Sequence, residues 1–286
     1  MYYQIGKYDD ALAAYQRVID RNPKWAAPHN RIGNVYADLG KYDDALAAYQ
    51  RAIELDPRWA TPHNNLGLTY RALGKYDNAI AMYQRATELD PKWATPHDNL
   101  GDVYSDLDKH NEALGTYQRA IELDPKWATP HNSLGNPYYQ MGKYRDALAA
   151  HECAITISPN WAAPHARLGA VYELLGQQEN TLNEYQKAVE LEPEDGAWHS
   201  SLASILRKLG RESEAAEQIK IARGLMAKEN EYNRACFESI CGNAEEALAL
   251  LKIALEKKQT SLEWARRDPD FDWIREDARF KALVGG

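Results

Sequence analysis

Cysteine is scarce in this chain, with three in 286 residues, at Cys153, Cys236 and Cys241. That is too few for a disulfide framework, and Cys236 and Cys241 lack the CxxC spacing of a zinc site. A reducing cytoplasm is the expected compartment. Positive charge is also in deficit: 34 lysines and arginines face 42 aspartates and glutamates, a net charge of −8. Nucleic acid and anionic membranes both need a basic face, so neither is an expected partner. No stretch approaches the roughly 18 uninterrupted apolar residues of a membrane span. The opening Met1-Tyr2-Tyr3-Gln4-Ile5-Gly6 has neither the basic nor the long apolar region of a signal peptide. The sequence has no glycine-rich phosphate loop, no nucleophile elbow and no HExxH motif. Cys153 stands beside Glu152 and reads as buried filler, not as a nucleophile. These absences predict a protein that is not an enzyme and has no cofactor.

What the chain has instead is self-similarity. Trp25, Trp59, Trp93, Trp127 and Trp161 recur every 34 residues. Pro23, Pro57, Pro91, Pro125, Pro159 and Pro193 keep the same interval, as do His29, His63, His97, His131, His165 and His199. A fixed period of this length marks a tandem array of one supersecondary unit.

Each unit reads as two helices. The first is predicted to open at Thr61-Pro62, Thr95-Pro96 or Thr129-Pro130, with threonine capping the free backbone N–H groups. Apolar residues follow at helical spacing, as in Leu66, Thr69, Tyr70 and Leu73. Gly74 is predicted to stop that helix in a left-handed cap, as Gly40, Gly142, Gly176 and Gly210 stop theirs. The second helix carries Ala79, Ile80, Tyr83, Ala86 and Leu89 on one face and ends at Asp90-Pro91. Asp43, Asp44, Asp77 and Glu112 fall at second-helix starts, where the helix dipole favours acids. Gly67, Gly101, Gly135 and Gly169 lie inside first helices at a cost of about 1 kcal/mol each. Their presence predicts that another backbone approaches there. A hairpin of this size cannot bury its apolar face alone, so stability belongs to the stack.

The pattern Leu66-Gly67-x-x-Tyr70, Ala79, Tyr83, Pro91, repeated as Leu100-Gly101-x-x-Tyr104, Ala113, Tyr117, Pro125, resembles the tetratricopeptide repeat. The resemblance extends over about residues 2 to 257. It implies an all-α fold, an α-α superhelix or solenoid of helix-turn-helix repeats with a C-terminal helical cap. The expected organisation is a repeat array over 1–229, one partial plus six 34-residue units, followed by a divergent last repeat and capping helices over 230–286. Within 260–286, two short helices are expected, the last starting at Asp277. This ending looks like that of a subset of bacterial members. One departure is systematic: histidine at 29, 63, 97, 131 and 165 occupies the usual tryptophan place. A histidine ladder suggests metal, but equivalent positions in successive repeats are separated by a helix-packing distance of at least about 8–10 Å. Zinc needs nitrogens about 2.0–2.1 Å from one ion. The ladder therefore reads as structural, and no metal site is expected.

The resemblance also implies where function lies, because in the family first helices line the concave groove. The candidate peptide-binding residues are Asn30, Asn34, Asn64, Asn65, Asp98, Asn99, Asp102, Asp106, Asn132, Asn136 and Tyr139. Asparagine is unfavourable inside a helix, and a column of it offers amides that both donate and accept. Relatives that grip the carboxylate of heat-shock chaperones use paired cations with asparagines. Here the matching places hold Asn30/Asn34, Asn64/Leu68 and Asp98/Asp102, so the cations are missing and the aspartates would repel a carboxylate. The expected function is a protein-protein interaction scaffold that binds a neutral to basic extended segment. The alternative is the sensing or assembly arm of a larger multidomain signalling protein, such as a switch NTPase. It would contact a neighbouring domain or self-associate.

Two local expectations complete the reading. Pro137 sits where Val35, Thr69, Val103 and Val171 sit, inside a first helix, and is expected to weaken the stack. Tyr2 to Tyr8 aligns with Tyr36 to Tyr42, so the chain is expected to open within a first helix. That would make it a fragment of a longer protein, with self-association through an uncovered N-terminal end.

Overall fold

The turn between repeats sets the whole architecture. In Asp56-Pro57-Arg58-Trp59, the Asp56 carboxylate accepts from the Arg58 N–H at 3.2 Å, and the Asp56 carbonyl accepts from the Trp59 N–H at 3.2 Å. The same pair of bonds recurs at Asp90/Lys92/Trp93 and at Asp124/Lys126/Trp127. Proline ends the preceding helix because it cannot supply the next N–H. The tryptophan then adopts an extended backbone and the next helix starts immediately after it.

The structure, a computed structural model, describes residues 8–285 apart from the side chain of Lys228. It contains 17 α-helices and, among the described residues, no strand. The all-α prediction holds. No described helix is long and apolar enough to cross a membrane. The chain forms two compact units, residues 1–142 and 143–286.

The first unit holds α1 (Tyr8–Arg21), α2 (Ala26–Asp38), α3 (Tyr42–Leu55), α4 (Ala60–Ala72), α5 (Tyr76–Leu89), α6 (Thr95–Asp106), α7 (His110–Leu123) and α8 (Ala128–Gln140). Helices α2 and α3, α4 and α5, and α6 and α7 pair as hairpins, and α2, α4, α6 and α8 touch in succession. The reading of residues 2–7 as the end of a truncated first helix lies outside the described residues. The second unit holds α9 (Tyr144–Ile157), α10 (Ala162–Leu174), α11 (Gln178–Leu191), α12 (Gly196–Lys208), α13 (Glu212–Leu225), α14 (Glu231–Ile240), α15 (Ala244–Glu256), α16 (Leu262–Arg267) and α17 (Ala278–Val284).

The turn within each repeat matches the sequence reading. Gly40, Gly74, Gly142, Gly176 and Gly210 all have φ between +68° and +73°. At Gly40 its N–H reaches the Ala37 carbonyl and the Lys41 N–H reaches Tyr36, which satisfies carbonyls the helix leaves open. Asp108 fills this place in its repeat at φ +55°, where a residue with a Cβ is strained.

Three expectations need correction. Threonine caps none of α4, α6 or α8: α4 and α8 start one residue earlier, after Trp59 and Trp127, and α6 starts at Thr95 itself. The Asp-Pro turn already fixes the entry, leaving Thr61 and Thr129 inside the first turn. The one first helix of the 34-residue repeats with a side-chain cap is α12, where Asp195 replaces the tryptophan and accepts from Ala197 and Trp198 at 2.8 and 3.0 Å.

Gly67, Gly101 and Gly169 do not admit a backbone. A Cβ on Gly67, Gly101 or Gly169 would meet the ring of Tyr83, Tyr117 or Tyr185 at 2.7, 2.5 or 2.8 Å. Gly33 stands equally close to Tyr49. The missing side chain is the socket for a tyrosine from the partner helix, and those tyrosines are buried. Each ring's burial contributes roughly 1.5–3 kcal/mol to the hairpin. The third correction is Cys153, which is exposed on α9, not buried.

The C-terminal segment behaves as predicted. Asp277 caps α17 through the Arg279 N–H at 2.8 Å. Phe271, Ile274, Phe280 and Val284 pack on Cys236, Ala247, Leu250 and Leu251 of α14 and α15.

Candidate functional site

The first helices of unit 1 create one continuous polar face, joined by a rule of register. The Asn65 amide donates to Asn30 and to Asn34, each at 3.1 Å. The Asn99 amide donates to Asn64 at 2.9 Å. Arg71 donates to Asp106 at 2.7 Å through Nε and to Asp102 at 2.7 Å through Nη1. Partners lie 35 or 31 residues apart, one repeat plus one residue or one repeat less a helical turn's worth.

This network sorts the predicted site residues. Asn30, Asn64, Asp98 and Asn132 are buried between helices. Asn34, Asn65, Asn99, Asp102, Asn136 and Tyr139 are half-buried on the face, and Asp106 is exposed at its edge. The amides are thus partly spent on one another. Both N–H groups of Asn65 are occupied, leaving its carbonyl oxygen, while Asn99 keeps one N–H and its oxygen.

The second-helix tyrosines feed the same face from behind. Tyr49 donates to Asn34 at 3.0 Å and Tyr117 to Asp102 at 2.9 Å. The corresponding position for Tyr83 is Leu68, which cannot accept. The Tyr83 hydroxyl is accordingly buried with no hydrogen-bond partner among the described residues. Leu68 itself is 42% exposed and lines a depression of about 320 Å³ with Asn34, Ala37, Asn65 and Ala72.

The three groove aspartates, read from sequence as one acidic cluster, differ in kind. Asp102 and Asp106 share one cation, Arg71, and Asp102 also receives the Tyr117 hydroxyl. Asp98 Oδ1 is buried with no partner among the described residues. Burial, then the neighbouring Asp102 charge, pushes its carboxyl up to about 7 against the opposing pull of Arg71.

The histidine ladder has a structural part. His131, His165 and His199 donate through Nε2 to the carbonyls of Pro125, Pro159 and Pro193 at 3.2, 3.3 and 3.0 Å, tying each first helix to its entry turn. The basic residues later in the chain are engaged too. Lys208 binds Glu173 and Asp272 at 3.0 and 3.1 Å, and the Arg207 guanidinium lies 4.2 Å from the Trp273 ring centre.

Spacing in sequence does not disclose one further cluster. In unit 2, ligand-type atoms of Cys236, Asp268 and Asp270 lie within 4.8 Å of one another, a metal-capable group among the described residues. The Tyr232 hydroxyl donates to Asp268, and the Asp268 carboxylate accepts from the Asp270 N–H at 2.9 Å. Burial raises both carboxyls and the thiol, so these groups tie the terminal segment to α14 as hydrogen-bonding partners.

Comparison with known proteins agrees with this geometry. Family profiles described as tetratricopeptide repeat match residues 26–92, 60–126, 93–160 and 162–195, and one described as TPR repeat matches 1–40. No curated protein matches the sequence significantly. Among solved structures, MamA is 30% identical over 57% of this chain and 95% of its own, with a TM-score of 0.51. YrrB, described as a TPR protein with an unusual peptide-binding site, is 26% identical over 63% of this chain and 93% of its own, with a TM-score of 0.50. A chain of the APC/C hetero-tetramer Cut9-Hcn1 aligns over 80% of this chain with a TM-score of 0.68. At 19% identity it shares the fold alone, and this chain spans 45% of its length. Repeat by repeat, in helix pairing and in family match, the chain belongs to the tetratricopeptide repeat family.

Proposed function

We propose that the chain is a protein-protein interaction scaffold whose unit 1 face of first helices binds an extended peptide segment. The observation that carries the reading is the amide network. Asn65 and Asn99 are held in place by Asn30, Asn34 and Asn64, and each still presents unused polar atoms to the face. Amides that are already oriented lose little entropy on binding a backbone, which alternates donors and acceptors in the same way. Leu68 adds an exposed apolar contact in the middle of this polar row. The similarity to YrrB, whose description includes a peptide-binding site, supports the class of ligand.

The preferred segment is neutral to basic. Arg71 is one cation facing two carboxylates, Asp102 and Asp106, so the groove keeps a net negative charge beside Asp98. The test is selection from a randomised nonapeptide library on the full chain, followed by binding to an Asn65→Leu/Asn99→Leu variant. Enriched peptides should lose most of their affinity for that variant and should be poor in acidic residues. Undiminished binding to the variant, or enrichment of acidic peptides, would refute the reading.

A further inference from the structure

The amide ladder has a defined step, and the step fails once. Residue 65 reaches residue 30, and residue 99 reaches residue 64. In both cases an asparagine on the later helix donates to a buried asparagine 35 residues earlier. The next step joins Ser133 on α8 to Asp98 on α6. Both partners have changed type. The acceptor is now a carboxylate. The donor is now a serine, whose hydroxyl lies one bond nearer the backbone than the asparagine amide nitrogen, and no Ser133–Asp98 bond forms.

The result is a carboxylate, 5% exposed, with Oδ1 buried and without a donor. On the later helix this rung carries Ser133, where the two earlier rungs carry Asn65 and Asn99. The adjacent acids already have donors. Asp102 already has Arg71 and Tyr117, and Asp106 has Arg71. An unpaired buried carboxylate is costly, and a charged donor relieves that cost more than a neutral one.

We propose that the Asp98–Ser133 gap is a subsite for a primary ammonium group, the side chain of a lysine in the bound segment. The assignment rests on the groove reading above and makes it specific. A single buried oxygen without a partner suits a compact ammonium with donors in every direction. A guanidinium is planar and needs two acceptors side by side for its characteristic geometry.

The experiment uses small cations on the full-length chain, so it does not depend on any peptide. n-Butylammonium, n-butylguanidinium and tetramethylammonium are titrated while NMR follows the Asp98 carboxyl carbon and the Asp98 and Ser133 amides. Butylammonium should give a saturable shift at these nuclei, tighter than butylguanidinium, and tetramethylammonium, which has no N–H, should give none. Ser133→Asn restores the ladder donor and should weaken butylammonium by about tenfold or more, the worth of a charge-assisted hydrogen bond. Asp98→Asn should do the same by removing the charge. Both variants import residues that neighbouring repeats carry at the equivalent positions, Asn65 and Asn99 for the first and Asn30, Asn64 and Asn132 for the second. If Asp98→Asn folds poorly, Ser133→Asn and the tetramethylammonium comparison still decide. Equal shifts with tetramethylammonium, tighter binding of butylguanidinium, or unchanged affinity in Ser133→Asn would each overturn the assignment. A library that enriches peptides without lysine while butylammonium fails would sink this subsite and leave the groove standing. The converse outcome would sink the peptide reading alone.

Discussion

Two helix-interior glycines in adjacent helices should respond to alanine with opposite signs. Gly101 on α6 faces the Tyr117 ring, where a new Cβ would lie 2.5 Å from Cε1 and 2.7 Å from Cδ1. Contacts that short cannot persist, so the ring must move. Tyr117 is 2% exposed and its hydroxyl is bound to Asp102 at 2.9 Å, so it has little room to give. Alanine gains about 1 kcal/mol of helix propensity. Overpacking costs about 1–3 kcal/mol, and loosening the tyrosine hydrogen bond about 1 more. The balance is a loss of about 1–3 kcal/mol. Gly115 on α7 is exposed and has nothing within 4 Å of its would-be Cβ, so alanine there keeps the full propensity gain of about 1 kcal/mol. At roughly 2–4 °C per kcal/mol for a chain of this size, Gly115→Ala should raise Tm by a few degrees and Gly101→Ala should lower it by a similar amount. Thermal melts by circular dichroism measure both. Combining Gly101→Ala with Tyr117→Leu should cost less than the sum of the single changes, because the smaller side chain vacates the socket. If Gly101→Ala stabilised the protein as Gly115→Ala does, or if the pair were additive, the socket argument would fail.

Other consequences are as specific. His151 is 1% exposed in the place other repeats give to tyrosine, and burial, then the Arg167 charge, pulls its pKa down to about 3. A depressed folded pKa means stability that is complete above about pH 6.5 and is lost as pH falls towards 3, by about 3–5 kcal/mol in full. His151→Tyr should flatten the fall in urea midpoint between pH 6.5 and 4, and an unchanged slope would remove the histidine as its cause. Arg71→Gln should leave Asp102 and Asp106 unneutralised, tighten a basic peptide and steepen its salt dependence; calorimetry at two salt concentrations checks it, and weaker binding would contradict the charge argument. Pro137 lies inside α8, where it cannot donate to the Ser133 carbonyl, and the division between the two compact units follows directly at Gly142/Lys143. Pro137→Val should slow amide exchange across 133–141, up to the roughly 3 kcal/mol that a helix-interior proline costs, and unaltered exchange would mean the helix bears no strain.

The contrast between what the sequence discloses and what it hides follows from the range of each interaction. Gly74 and Asp277 act within a few residues of themselves, through a left-handed turn and a side-chain cap, so their roles are legible from type and neighbours. The Gly67–Tyr83 socket is visible in sequence only as one interval that recurs at Gly101–Tyr117 and Gly169–Tyr185. Nothing in a glycine indicates whether a backbone or a ring fills the space above it. Threonine at 61 has the chemistry of a cap, but the Asp56 turn four residues upstream of the helix start had already fixed the entry.

The groove needed one more element, the offset between neighbouring first helices. Inside one repeat, Asp98, Asp102 and Asp106 lie on one face at helical spacing and read as a single acidic stripe. Arg71, which divides them, belongs to the previous repeat and reaches forward by 31 and 35 residues. Once that offset is known from Asn30–Asn65 and Asn64–Asn99, the rest is arithmetic on the sequence. Residue n on a first helix meets residue n + 35 on the next, and the types at those two positions decide whether the rung closes. An amide meeting an amide closes it. An arginine meeting an aspartate closes it with charge. An aspartate meeting a serine, at 98 and 133, leaves it open, so the unpartnered carboxylate in this face follows from the same offset that pairs the others.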